Sequence, residues 1–169
     1  MRFLILFFFL TTNVIANDVS EIKNIVIHND LKVYDNVIFL DKNDKKINIK
    51  EFNGNLLLLN FWATWCEPCK EEMPSLDRLQ INKSLSNLKV FAINISQENK
   101  KKIDIFFKDL NIKNLEPYFD APITLAKEFS LRGVPTSILL DKDGKEFARI
   151  IGSINFDDKK FINWLKTYN

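Results

Sequence analysis

The sequence predicts an α/β fold in which a central mixed β-sheet is flanked by helices, with an added N-terminal β-hairpin. An apolar run at residues 56–62 leads directly into a helix-like segment that opens with a Cys-x-x-Cys motif. Beyond it, segments with strand-like and helix-like patterns alternate, as is typical of α/β proteins. The chain has 169 residues, of which 46% are hydrophobic and 27% charged, which suits a single globular domain.

The first 16 residues have the pattern of a secretory signal peptide. Arg2 supplies a positive start, residues 3–10 form an apolar core, and Ala16 offers a small residue for cleavage. The alternative is an uncleaved N-terminal membrane anchor, although the apolar core is shorter than the roughly 20 residues that cross a bilayer. Removal of this segment takes away one base and no acid, so the formal charge falls from +2 to +1. Such a balance argues against nucleic acid as the main partner.

The elements ahead of the cysteines follow from alternation and from unbroken apolar runs. Residues 17–32 are polar and mixed, and they predict a surface lead-in in which His28 is solvated and without a role. The domain proper is then expected over residues 33–169. Residues 33–49 alternate around a charged turn and predict a hairpin. The run at 56–62 has no polar residue before Asn60, which predicts a central strand buried on both faces.

The elements behind the cysteines follow from helical spacing and from turn signals. The first helix is expected to run to about residue 84, with a kink at Pro74 because proline removes a helical hydrogen bond. The remaining predictions are a strand at 88–95, a helix at 100–110, a connection at 111–122, a short helix at 124–130, strands at 134–140 and 147–151 around a tight turn, and a terminal helix at 157–168.

Cys66 and Cys69 are the only two cysteines. If Cys66 caps the helix and Pro68 lies in its first turn, both sulfurs fall on one turn, within disulfide reach. The unpaired N–H groups and the positive dipole end of the helix favour a thiolate at Cys66. Pro68 fits because the first turn does not need its missing N–H. This pattern indicates a redox-active dithiol.

Two other uses of a cysteine pair are less compatible with the sequence. A zinc site needs four ligands, and the only histidine, His28, is distant in sequence. An inert structural disulfide between these cysteines would close too short a loop to constrain the unfolded chain much.

Two separated segments carry a resemblance to a known family. Residues 60–69, followed by Glu-Met-Pro at 72–74, resemble the thioredoxin superfamily and, within it, the TlpA/ResA-like thiol-disulfide reductases of the bacterial cell envelope. Residues 132–136, Asp-Gly at 143–144 and Gly152 match the C-terminal half of that family. The resemblance extends from about residue 33 to the end of the chain, and it implies a thioredoxin-like fold.

The resemblance also implies roles for individual residues. Cys66 would be the attacking thiolate and Cys69 the resolving thiol, joined in a redox-active disulfide in the oxidised state. Pro135 would be the cis-proline that faces the dithiol, and Glu72 matches an acidic residue near the active site. The residues expected to contact a substrate are Trp65, Pro68, Val134, through its backbone, and Thr136.

The chain departs from cytosolic thioredoxins at three positions. Those proteins have a buried aspartate where this chain has Asn60, a lysine at Ala92 and a glycine at Glu67. Asn60 cannot take a proton, so the resolving thiol needs another base. Glu72 lies one helical turn after Cys69, and we expect it to handle the proton. The alternative is that Glu72 is an ordinary solvent-facing glutamate like its neighbour.

The function implied by the resemblance is thiol-disulfide exchange in the periplasm or at the outer face of the inner membrane of a bacterium. Protein disulfides would be the substrates, a membrane thiol-transfer protein the electron donor, and no metal or organic cofactor is implied. One alternative is a peroxiredoxin-like enzyme, since Thr64 lies two residues before Cys66, although the proline that this family places ahead of the threonine is missing. Another is a non-catalytic chaperone or copper carrier, against which the intact Cys-x-x-Cys and Pro135 argue.

Overall fold

The computed structural model describes residues 22–120, 122 and 124–169, so the predicted signal segment (1–16) lies outside the described part. The strands among these residues are β1 (Ile25–Lys32), β2 (Ile38–Leu40), β3 (Lys46–Asn48), β4 (Leu56–Trp62), β5 (Leu88–Asn94), β6 (Pro117–Phe119), β7 (Thr136–Leu140) and β8 (Glu146–Ile151). The α-helices are α1 (Glu67–Gln80), α2 (Lys100–Asp109), α3 (Leu125–Glu128) and α4 (Lys159–Leu165). In the ranges given, no helix combines the length and apolar character needed to cross a bilayer.

The strands form one mixed sheet in the order β1-β8-β7-β4-β5-β6-β2-β3. β4 runs parallel to β5 and antiparallel to β7, and β5 runs parallel to β6. β2 and β3 form the predicted antiparallel hairpin, which joins the sheet through β6. The predicted α/β class, with a central mixed sheet and an added hairpin, is confirmed.

β4 organises the core because all of its residues are buried. Successive side chains of a strand point to opposite faces, so β4 supplies two separate core clusters. One contains Leu56, Leu58 and Trp62, and the other contains Leu57, Leu59 and Phe61. Helices α1, α2 and α4 pack on the first cluster and α3 packs on the second. Asn60 has the same parity as Trp62 and therefore faces α1.

The first helix ends earlier than the sequence predicts. α1 stops at Gln80 rather than near residue 84, and the next residue, Ile81, is 60% exposed. The side chain of Asn82 then accepts a hydrogen bond from the backbone N–H of Ser84 and starts a short 3-10 turn. Asparagine favours such local caps over a continuing helix, which explains the early stop. α1 runs through Pro74, and the predicted kink there stays a prediction.

Two strands lie in segments for which the sequence predicts no regular structure. β6 falls in the predicted connection at 111–122, is three residues long and pairs with β5. β1 occupies much of the predicted lead-in and pairs antiparallel with β8. Most of β1 is exposed and its register shifts between Ile27 and Lys32. Its sequence begins with three apolar residues followed by three polar ones, so it lacks the alternation by which a strand is recognised in sequence.

The prediction that His28 is solvated and without a role is wrong. The His28 side chain is only 12% exposed, and its Nε2 lies 2.6 Å from Oε1 of Glu146. Glu146 is fully buried and also accepts hydrogen bonds from the Tyr34 hydroxyl and from Nε (2.6 Å) and Nη2 (2.9 Å) of Arg149. Burial raises the pKa of Glu146, but these donors, Arg149 first, outweigh it and hold the pKa below its usual range. This Glu146 cluster (His28, Tyr34, Glu146 and Arg149) ties β1 to β8.

We expect Glu146→Ala to lower the free energy of unfolding by about 3 kcal/mol, because it leaves the mostly buried Arg149 guanidinium without its counter-charge. Urea unfolding of the oxidised protein at neutral pH measures this loss. Because the pKa of Glu146 is lowered, the difference from the parent should shrink as the pH falls below the ordinary glutamate range.

The matched control is Glu116→Ala, which breaks an ion pair with Lys42 whose two side chains are 58% and 57% exposed. An exposed pair of this kind contributes less than about 1 kcal/mol. Equal losses in the two variants would contradict a structural role for the Glu146 cluster.

Candidate active site

The two cysteines form a disulfide at the start of α1. Cys66 is the N-cap residue and Cys69 lies in the first turn, with Pro68 between them. The two sulfurs are 2.12 Å apart and the two Cα atoms 5.3 Å apart. The backbone N–H of Cys69 also donates to Sγ of Cys66 at 3.2 Å. Cys66 therefore occupies a helix N-terminus, where backbone N–H groups stabilise a thiolate once the disulfide is reduced.

The disulfide is recessed among exposed neighbours. Trp65 is 67% exposed and Pro68 is exposed, whereas Cys66 is 4% exposed and Cys69 is fully buried. Of the two cysteines, Cys66 is thus the more exposed. Trp65 and Pro68 lie within two residues of Cys66 in the sequence. Their contact with a substrate stays a prediction.

The loop before β7 has the features expected of a substrate-binding loop. The Val134–Pro135 peptide bond is cis. Val134 packs against the core cluster that contains both cysteines, and within the described residues its backbone N–H and C=O form no backbone hydrogen bond. Thr136 is 4% exposed and its hydroxyl donates to the carbonyl of Gly133 at 2.8 Å. This side chain shapes the loop, and its contact with a substrate also stays a prediction.

Glu72 is buried on α1, three residues after Cys69. It is 2% exposed, whereas its neighbour Glu71 is exposed. Oε1 of Glu72 accepts a hydrogen bond from Nδ2 of Asn60 at 2.8 Å, and Oε2 accepts one from the backbone N–H of Ile154 at 3.3 Å. Burial outweighs these two bonds and raises the pKa of Glu72 to about 7. The alternative that Glu72 is an ordinary solvent-facing glutamate is therefore wrong.

A cleft of about 430 Å³ between α1 and the loop after β8 includes Glu72 in its wall. Ser75 and Arg78 line it from the helix, and Ser153 and Asn155 line it from the loop. The cleft brings solvent close to a carboxyl group that is otherwise packed in the core. Glu72 can therefore combine a raised pKa with proton exchange with water, as a general base requires.

Asn60, which donates a hydrogen bond to Glu72, was not predicted to have a role in the site. Its side chain is fully buried, and Nδ2 also donates to the hydroxyl of Ser137 at 2.9 Å. Within the described residues, Oδ1 has no hydrogen-bond partner. If the amide turns over, Oδ1 can instead accept from protonated Glu72 and from the hydroxyl of Ser137. Asparagine can thus serve both protonation states of Glu72, whereas an aspartate would add a second carboxylate.

Thr64 is held by Glu98, a residue that the sequence analysis did not single out. Oγ1 of Thr64 lies 2.6 Å from each carboxylate oxygen of Glu98, and the Ser96 hydroxyl donates to Oε2 at 2.6 Å. Burial raises the pKa of Glu98, but hydrogen bonds from Lys102, Ser96 and Thr64 outweigh it and lower the pKa to about 2. These bonds fix the loop just ahead of Cys66. They also engage the hydroxyl on which the peroxiredoxin alternative depends.

The comparisons with known proteins agree with this geometry. The Redoxin family model matches residues 20–161. Thiol-disulfide oxidoreductase ResA of Bacillus cereus is 33% identical over 117 residues, which cover 69% of this chain and 66% of that protein, or slightly less than two thirds of its length. StoA of Bacillus subtilis has a TM-score of 0.64 at 25% identity, covering 80% of this chain and 97% of that one.

A second solved structure supports the fold alone. A secreted thiol-disulfide isomerase from Corynebacterium glutamicum has a TM-score of 0.69 at 20% identity, covering 80% of this chain and 87% of that one. Together these likenesses confirm the thioredoxin-like fold and the resemblance to the TlpA/ResA-like branch of the superfamily.

We expect Glu72 to make the oxidised protein less stable as the pH rises from about 4.5 to about 7. The unfolded chain releases the Glu72 proton near pH 4.5, whereas the folded chain keeps it until the pKa of about 7. The folded state therefore binds more protons in this window, and its free energy of unfolding falls with pH by roughly 3 kcal/mol in total. Glu72→Gln should remove this part of the pH dependence, as measured by urea unfolding at pH 5 and pH 8.

Glu71→Gln is the matched control, since it removes the exposed neighbouring carboxylate. It should leave the pH dependence of the parent unchanged. Parallel stability curves for the parent and Glu72→Gln would show that Glu72 ionises normally in the folded protein.

Proposed function

The chain belongs to the Redoxin family, and from that premise we propose that it is a thiol-disulfide oxidoreductase. The observation that carries the proposal is the Cys66–Cys69 disulfide at the N-terminus of α1. The name of the ResA relative supports the same activity. The reaction is dithiol-disulfide exchange, in which two electrons pass from the reduced cysteine pair to a disulfide in another protein.

In the first step, the thiolate of Cys66 attacks one sulfur of the target disulfide. A mixed disulfide forms between Cys66 and that sulfur, and the other target sulfur leaves as a thiolate. The N-terminus of α1 favours this step because it stabilises the charged form of Cys66. The free backbone groups of Val134 supply hydrogen bonds to an extended target segment, and Trp65 and Pro68 supply its contact surface.

In the second step, Cys69 attacks Sγ of Cys66 and releases the reduced target. Cys69 is fully buried and must lose its proton before it can act as a nucleophile. Glu72, three residues further along α1, takes this proton, because its pKa of about 7 is close to the working pH. Asn60 keeps the Glu72 side chain in place, and the cleft beside α1 returns the proton to solvent.

We further propose that the protein works in the bacterial cell envelope, in the periplasm or at the outer face of the inner membrane, and that it reduces disulfides in selected proteins. Apocytochrome c before haem attachment and copper-site assembly proteins are the candidate targets. A membrane thiol-transfer protein would supply the electrons, and the dithiol would act without a metal or organic cofactor. The resemblance to TlpA/ResA-like reductases supports these points.

We expect Cys69→Ser to trap target proteins on Cys66, because the variant can complete the first step but not the second. Mixed disulfides should accumulate and be visible on non-reducing gels of an envelope extract that is treated with the reduced variant. Cys66→Ser should trap little, since the remaining thiol of Cys69 is buried. More trapping by Cys66→Ser than by Cys69→Ser would reverse the two roles.

We expect Glu72→Gln to slow the release of the mixed disulfide by roughly 10²-fold, the lower end of what a general base contributes. Glutamine keeps the shape of the side chain but cannot take the proton of Cys69. The initial attack by Cys66 should proceed at the parental rate, which rapid-quench experiments with the reduced protein can separate from release. Glu71→Gln should behave as the parent in both steps, and parental release in Glu72→Gln would assign the proton to water instead.

A further inference from the structure

A cavity of about 370 Å³ lies where β1 meets the loop that precedes Pro135. Its volume falls in the range of ordinary ligand pockets and can hold one or two side chains. The residues of the wall that matter here are basic or apolar: Val26, His28, Lys32, Arg132, Arg149 and Ile151. Of the residues expected to contact a substrate, Thr136 lies in this wall, whereas Trp65, Pro68 and Val134 do not.

The pairing of the strands explains why these side chains meet. Val26 of β1 lies opposite Arg149 of β8, and Ile151 of β8 lies opposite Thr136 of β7. Alternate residues of a strand share a face, so Val26 and His28 lie on the same face as Arg149 and Ile151. Val26 is 45% exposed and Ile151 is 49% exposed, which gives the cavity an apolar surface that contacts solvent.

The cavity carries an excess of positive charge. Four of its wall residues are basic or histidine, and none is acidic. Glu146, buried behind the wall, already pairs with His28 and Arg149. Lys32 and Arg132 form no ion pair with any of the described residues. Two positive charges are thus left for a partner, beside two exposed apolar side chains.

The cavity adjoins the predicted substrate loop, since Arg132 and Thr136 on either side of Val134 lie in its wall. Arg132 lies two residues before Val134, whose backbone has no partner in the described structure. An extended chain advances about 3.3 Å per residue, so a segment bound along Val134 reaches Arg132 within two to four residues. An occupant that also presents a disulfide to Cys66 must be part of the same polypeptide. This favours a segment of the target protein over a lipid surface or a second copy of the chain.

We propose that this cavity selects target proteins in which an acidic side chain, next to an apolar one, lies two to four residues from the cysteine under attack. The inference rests on the proposed thiol-disulfide exchange and specifies which targets that exchange prefers. Arg132 binds the carboxylate as a planar two-pronged donor, Lys32 adds a second charge, and Val26 and Ile151 contact the apolar side chain. Charge pairs of this kind raise the association rate and fix the register of the segment.

Disulfide-linked dimers of short peptides test the proposal. Each peptide carries one cysteine and one leucine–glutamate pair, and the glutamate lies two, three or four residues before or after the cysteine. Each has a control peptide with glutamine in place of glutamate. The pre-reduced full chain is mixed with each dimer, and acid-quenched samples are analysed by mass spectrometry for the oxidised chain. The reaction balances without another reductant, since one dithiol and one peptide disulfide give one protein disulfide and two peptide thiols.

At low ionic strength we expect the glutamate peptide to react about three to ten times faster than its glutamine control at one or more spacings, as for one or two partly exposed charge pairs. The ratio of the two rates should fall towards one in high salt, in Arg132→Gln and in Lys32→Gln. Lys108→Gln removes the same charge on α2, away from the cavity, and should keep the parental ratio.

The other outcomes separate this inference from the proposed function. Equal rates for glutamate and glutamine peptides would overturn the inference and leave thiol-disulfide exchange intact. A preference for the glutamate peptide that persists in both Arg132→Gln and Lys32→Gln would do the same. If equal peptide rates are accompanied by binding to anionic lipid vesicles that Arg132→Gln abolishes, the cavity faces a membrane and the inference is overturned. A reduced chain that no peptide disulfide oxidises would overturn the proposed function and the inference with it.

Discussion

The hydrogen bond from Asn60 to Glu72 joins the central strand to the helix that carries the dithiol. Both side chains are buried, so the bond is largely shielded from competition by water. A carboxyl group in such a place has a raised pKa unless donors compensate, and among the described residues only Asn60 and the N–H of Ile154 donate to it. The chemistry proposed for Cys69 depends on this incomplete compensation, because a fully satisfied carboxylate would ionise at low pH and take up protons poorly at neutral pH.

The two-sided core explains why the dithiol can be both fixed and reactive. β4 is covered on both faces, and α1 begins five residues beyond its last residue, Trp62. Glu98 holds the intervening Thr64 through its hydroxyl, so the turn that presents Cys66 is anchored from the side as well as from both ends. Oxidation and reduction can therefore change the bond between the sulfurs while the backbone around them stays supported.

The parts of the structure that could be predicted from the sequence are those set by neighbouring residues. The apolar run identified β4, and the spacing of the cysteines around Pro68 identified the start of α1 and the disulfide. The parts that could not be predicted depend on pairs that are distant in the chain: Thr64 with Glu98, 34 positions apart, and His28 with Glu146, 118 positions apart. A single sequence carries no signal for such pairs, since each partner is by itself an ordinary polar residue.

β1 is a strand that was not predicted from the sequence, and it bears on how targets are expected to bind. A sheet that ended at β8 would leave an open edge beside the Pro135 loop, and open edges pair unselectively with other chains. β1 covers that edge, and the Glu146 cluster holds it there by burying a carboxylate whose charge is balanced within the cluster. Glu146 is shared between His28 and Arg149, whereas Lys32 and Arg132 form no ion pair with any of the described residues. The same strand thus covers the edge of β8 and leaves a positively charged surface next to the loop where targets are expected to bind.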